Sequence, residues 1–128
     1  MLLEKALRYE LNKINEISGK IFPTNAPQGK KPPYLVYVSE STPLKDLNGT
    51  KENIDSYVLL NILCESYSEM KDVTRKVRKL INTFPFRSIG ENGPYIEDLT
   101  AETTAETYEN ELELYRGIIP FKISYLEE

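Results

Sequence analysis

Ile54-Asp55-Ser56-Tyr57-Val58-Leu59-Leu60-Asn61-Ile62-Leu63-Cys64-Glu65, followed at once by Ser66-Tyr67-Ser68-Glu69, decides the fold class of this chain. Apolar residues fall in both strand phases, Val58, Leu60, Ile62 and Cys64 on one and Tyr57, Leu59 and Leu63 on the other. That pattern predicts a long strand in the middle of a sheet, covered on both faces. Ser66 with Glu69 three residues on is a capping box, and Met70, Val73, Val77, Leu80 and Ile81 supply the apolar stripe of a helix over 67–82 that packs on the sheet.

Toward the amino terminus, Leu3, Leu7, Leu11 and Ile14 recur at helical spacing over 2–17, with Glu4, Lys5, Arg8, Asn12 and Lys13 on the opposite side and Ser18-Gly19 ending the pattern. Lys20 to Pro33 reads as an irregular connection stiffened by Pro27, Pro32 and Pro33, with Gly29 supplying a turn and Ile21 and Phe22 pinning it to the core. A strand follows over 34–39. The next stretch, 39–53, turns polar, carries the hairpin signal Asn48-Gly49, and holds Leu44 and Leu47 as isolated apolar residues. It is expected to project as a loop or hairpin arm, mobile in the free subunit and ordered in an assembly through Leu44, Leu47 and Asn48.

Toward the carboxy terminus, Phe84-Pro85-Phe86 is expected to fold back on the end of the second helix. A Thr-rich acidic strand follows over 95–106 with Ile96 as its anchor, and a last strand over 111–126 buries Ile119, Phe121, Ile123 and Tyr125 in alternation. These two strands should pair antiparallel, and Pro120 must meet an edge or bulge because it has no donor for a ladder. The expected fold is α+β: one domain over 1–128, with a mainly antiparallel four-stranded sheet packed against two helices.

With a single cysteine and no histidine, internal disulfides, the usual zinc sites and imidazole acid–base chemistry are out of reach. Cys64 alternates in phase with Val58, Leu60 and Ile62 and reads as a core thiol rather than a nucleophile. The net charge of −4 argues against non-specific nucleic-acid binding, which needs a cationic footprint. No apolar run approaches the roughly 20 residues of a membrane helix. The amino terminus carries charges within its apolar stretch and no small-residue cleavage site, so it reads as helix, which places the chain in the cytoplasm. No phosphate loop, nucleophile elbow or dinucleotide glycine pattern occurs, and the expectation is a protein without enzymatic activity or cofactor.

Charge is segregated along the chain. The second helix carries Lys71, Arg75, Lys76, Arg78 and Lys79 against Glu69 and Asp72, whereas residues 91–113 carry eight acids and no base. Acids in the first helical turn and bases in the last suit the helix dipole, and exposed strand positions suit solvation. The sharper reading places Arg75, Arg78 and Lys79 of one subunit near Glu97, Glu102, Glu106 and Glu109 of the next, where complementary charge sets register.

Several short motifs, in order, carry a family resemblance: Ala26-Pro27-x-Gly29, Pro33-Tyr34-Leu35-Val36-Tyr37, the long strand ending in Glu65-Ser66-Tyr67 before a helix with Glu69, and Leu114-Tyr115-Arg116 running on to Phe121-Lys122-Ile123. Together they make the chain resemble the tail completion, or tail terminator, proteins of long-tailed bacteriophages and prophages. The resemblance implies a small α+β subunit without catalytic residues that closes, usually six to a ring, over the finished tail tube and presents it to the head. Implied partners are further copies of the chain, the major tail tube protein and the head connector or stopper protein, with neither a membrane nor sequence-specific nucleic acid. The implied location is the tail or neck of a virion assembled in the bacterial cytoplasm. Two other readings stand beside it: another neck component, such as a head completion or stopper protein, and a non-phage α+β domain that binds a ligand or peptide along a strand edge.

Overall fold

The computed structural model describes residues 2–45 and 52–127, with side chains described over 3–40 and 53–126. Helix α1 (Leu2–Leu11) and a 3-10 turn (Asn15–Ile17) lead into β1 (Ile21–Pro23), β2 (Tyr34–Lys45) and β3 (Glu52–Cys64); α2 (Tyr67–Ile81) follows, then β4 (Arg87–Ser88), β5 (Tyr95–Ala101), β6 (Ala105–Glu109) and β7 (Leu114–Glu127). The seven strands form one sheet in the order β1-β2-β3-β7-β5-β4, with β6 also paired to β7. Every pairing is antiparallel except that of β1 with β2. The fold is α+β with two helices, and its sheet is larger than the expected four strands.

The extra strands come from segments too short to show a period. Ile21–Pro23 was expected to be a pinned loop, yet it pairs parallel with Leu35–Tyr37. Arg87–Ser88 pairs with Tyr95 and Ile96. The acidic strand expected over 95–106 is interrupted at 102–104 and continues as β6, so β5 lies along one half of β7 and β6 along the other. The interruption falls opposite Pro120. The Pro120 carbonyl accepts from Glu102 N at 2.9 Å, so its donor-less nitrogen faces this gap rather than the continuous β3 ladder.

Two element bounds shift as well. The first helix ends at Leu11 rather than near 17, because Asn12 turns its side-chain oxygen to accept from Gly19 N at 2.9 Å and closes a turn, with Gly19 at φ +74°. The last strand begins at Leu114 rather than 111, because residues 110–113 are the turn joining β6 to β7, with Glu113 at φ +56°. Of the stretch expected to project as an arm, residues 39–45 and 52–53 belong to β2 and β3, in register through Lys45 opposite Glu52. Residues 46–51, with Leu47 and Asn48, lie outside the described residues, and Leu44 is described as strand backbone only.

Both helices lie on one face of the sheet. Leu3, Leu7 and Leu11 of α1 and Met70, Val73, Val77 and Ile81 of α2 are fully enclosed against Leu35, Leu60, Ile62, Ile119, Phe121 and Ile123. Helix α2 crosses β7 at Gly117, where a Cβ would stand 2.4 Å from Thr74 Oγ1 and 3.1 Å from Met70 Sδ, so only glycine admits the helix this close. On the other face a small second cluster, Tyr34, Val36, Leu63 and Leu114 with Phe22 and Ala26, covers one end of the sheet. The rest of that face carries no helix among the described residues. The expectation that β3 is covered on both faces is therefore corrected: Tyr57 is 54% and Leu59 37% exposed. Among the described residues no helix is long and apolar enough to cross a membrane.

Candidate assembly surfaces

The solvent side of α2 is the first surface. Ser66 caps the helix, its hydroxyl accepting from Glu69 N at 3.1 Å. With the apolar stripe turned into the core, Arg75, Arg78 and Lys79 stand exposed on the other side. They line a groove of about 560 Å³ between α2 and the β5–β6 junction, together with Lys71, Asn82, Thr104 and Glu106. Lys71 and Glu106 form an ion pair across it. Each shifts the other, Glu106 and then Tyr67 raising the Lys71 ammonium above its ordinary value, and Lys71 and then Tyr67 lowering the Glu106 carboxyl. Tyr67 stacks edge-on against Tyr115 at 5.9 Å and Tyr115 against Tyr108 at 4.9 Å, fastening the start of the helix to the β6–β7 hairpin.

The predicted charged residues therefore separate. Glu106 meets the basic helix within its own chain. Glu109 instead pairs with Arg116 Nε at 2.8 Å on the opposite sheet face. Glu97 and Glu102 are exposed and without an ion pair among the described residues, while Arg75 makes only a long 3.5 Å contact to Asp72 on its own helix. Arg78 and Lys79 are left with no ion pair among the described residues.

The helix-free sheet face is the second surface, and it is banded. At one end Arg116 Nη1 donates to Asn61 Oδ1 at 2.9 Å while its Nε holds Glu109. At the other, Asp55 accepts from the Ser124 hydroxyl and pairs with Lys122 at 3.4 Å. These contacts hold the Asp55 carboxyl below its ordinary value, the Ser124 bond outweighing burial, with Lys122 adding to it. Between the polar bands lie Val38, Tyr57 and Leu59, exposed, and Pro120, half-buried, around a cavity of about 210 Å³ flanked by Glu40 and Glu102. Sequence alternation misses this opening, because it reports that a phase is apolar and not whether anything covers it.

Two ionisable side chains, Cys64 and Glu10, sit in the core. Cys64 is fully buried, and burial, followed by the nearby Glu69, pushes its thiol up to about 12, so no thiolate forms near neutral pH. Glu10 is a buried carboxylate that the sequence reading missed, although it occupies a stripe position between Leu7 and Ile14. It accepts from Arg87 Nη2 at 3.1 Å, Lys13 Nζ at 3.1 Å and Gly90 N at 2.8 Å. Burial alone would raise its carboxyl, but these partners outweigh it and hold it below the ordinary value. Gly90 must be glycine there, since it sits at φ +72° with a Cβ position 2.7 Å from Ala6 Cα. Phe84 is buried as expected, whereas Phe86 is turned out, 77% exposed, with its N–H donating to Ile96 O. Among the described residues no group of three acidic, cysteine or histidine side chains is placed to hold a metal ion.

Fold and surfaces together define an α+β class: among the described residues, two helices lie on one face of a sheet whose other face is partly bare. No family model and no curated protein matches the chain. Among solved structures it is similar to a chain from the virion of a native gene transfer agent (GTA) particle, with a TM-score of 0.69 at 8% identity, covering 96% of this chain and 94% of that one. At that identity the likeness is one of fold, and it extends over nearly the full length of both chains.

Proposed function

We propose that this chain is a structural virion protein that closes the end of a phage-type tail tube as a ring and joins the tail to the head connector. The observation that carries the reading is the full-length fold likeness to a gene transfer agent virion chain, at a size where neither chain has much outside the shared fold. Two surface features support it: a basic helix groove and a bare apolar sheet band on different sides of one subunit, as heterologous ring contacts require. The net charge of −4 suits a ring through which DNA passes without adhering, since like charge disfavours phosphate contact.

The test is mass photometry of the purified protein with and without tail tubes assembled from the major tail protein of a siphophage, across a salt series. Discrete ring-sized additions at tube ends, weakened by salt as screened ion pairs are, are the expected result. Absence of tube-end binding at every salt concentration would sink the tail-closing role.

A further inference from the structure

The β6–β7 turn, residues 110–113, is acidic and exposed. Glu111 and Glu113 flank Leu112, all three exposed, with Leu112 52% open to solvent despite its four-carbon side chain. One side of Leu112 borders the cavity lined by Ala26 and Tyr34 of its own subunit, and the other side is open to solvent between the two carboxylates. We propose that this turn inserts into the basic groove of α2 on a second copy of the chain, with Glu111 and Glu113 meeting Arg75, Arg78 and Lys79 and Leu112 lying on the aliphatic stems between them. The inference deepens the ring reading above and rests on it.

Charge selects this groove over its rival. The bare sheet band is apolar enough for Leu112, but Glu40 and Glu102 flank it and would repel an acidic turn. The α2 groove sets Lys71, Arg75, Arg78 and Lys79 against Asp72 and Glu106; Glu106 is held on Lys71 and Asp72 makes a 3.5 Å contact to Arg75, which leaves a cationic surplus at Arg78 and Lys79. Spacing agrees: residues i and i+2 of a chain lie at most about 7 Å apart, and the heads of helix residues i and i+3 or i+4 stand on Cβ atoms about 5–6 Å apart. The turn and the groove occupy different parts of one subunit, so the contact is head-to-tail and can propagate around a ring. A four-residue turn buries far less than the roughly 1,200 Å² of a stable pairwise interface. The pair is therefore transient in solution and is best captured covalently.

The test mixes two single-site cysteine variants, tagged N82C and untagged L112C, under mild oxidant. Asn82 lines the groove without being one of its cations, and native Cys64 is buried with its thiol held protonated. A disulfide-linked heterodimer at least about tenfold above a control pair of N82C with Y95C is expected. The yield should collapse in R75E/R78E and return when the L112C partner also carries E111K and E113K. Cross-linking no better than the control, or yield indifferent to charge reversal, would overturn the proposal. So would protection of the N82C thiol from alkylation by duplex DNA or tail tubes without any cross-link between copies, which would assign the groove to that occupant. If rings still form on tubes while the cross-link fails, only the turn-to-groove contact is wrong; if the cross-link forms and tubes are not bound, the contact stands and the tail-closing role falls.

Discussion

The two faces of the sheet use the same strands to opposite ends. On the helix side Val58, Leu60, Ile62, Ile119, Phe121 and Ile123 are sealed beneath α1 and α2, while one residue along in each strand Tyr57, Leu59 and Pro120 reach solvent. The bare face mixes these apolar residues with Asp55, Asn61, Arg116, Lys122 and Ser124, whereas the helix side is apolar almost throughout, and the apolar residues of the two faces differ in cover. One face holds the subunit together. The other carries the polar bands Asn61–Arg116–Glu109 and Asp55–Ser124–Lys122 with an exposed apolar strip between them.

The largest effects should come from the covered face. Phe121→Ala is expected to destabilise by about 3–5 kcal/mol by denaturant titration, as buried aromatic truncations do. A cost under about 1 kcal/mol would mean the two faces do not differ in the way the burial indicates. Next comes the lock beneath α1. Glu10→Ala should cost about 2–3 kcal/mol by stranding the Gly90 N–H and freeing Arg87, and it should also change the acid limb. Because the folded-state carboxyl lies below its ordinary 4.5, its contribution is fully present above that value and fades as pH falls through the folded-state value. The wild type should therefore lose stability more steeply than the variant below about pH 4.5, and parallel acid limbs would remove Glu10 from the account.

Gly117→Ala probes the closest approach of helix to sheet and should cost about 1–3 kcal/mol, as overpacked sites do, with α2 displaced. An unchanged unfolding midpoint would show that α2 already stands off the sheet. The smallest effect should be at the bare strip, where Leu59→Ser is expected to shift stability by no more than about 0.5 kcal/mol. A loss comparable to that of Phe121→Ala would show that this face is covered after all.

Much of the fold was legible in the chain because its longest elements have clear periods. The β3 run, the Ser66-capped α2 stripe, and the antiparallel pairing of the acidic strand with β7 follow from alternation, capping and turn chemistry. Pro120 announced a break in the sheet, and the gap at 102–104 is where that break falls. The missed strands β1 and β4 are three and two residues long; they exist only because a neighbouring edge offers partners, which local sequence does not record. The same holds for the candidate surfaces. The segregated charge was visible in the sequence, but it could not show that Glu106 folds back onto Lys71 while Glu109 turns to Arg116 on the opposite face.

By itself, then, the sequence determined the α+β class, the two helices, the central place of β3, and the lack of histidine and paired cysteine that narrows the chemistry, because these depend on periods and residue types. The tertiary structure decided which apolar phase is sealed, why residue 117 must be glycine, how a glutamate in an apolar stripe becomes a three-partner lock, and which acids remain free. Those depend on what each side chain meets across the fold, and neighbours distant in sequence are set only when helices and strands are packed together.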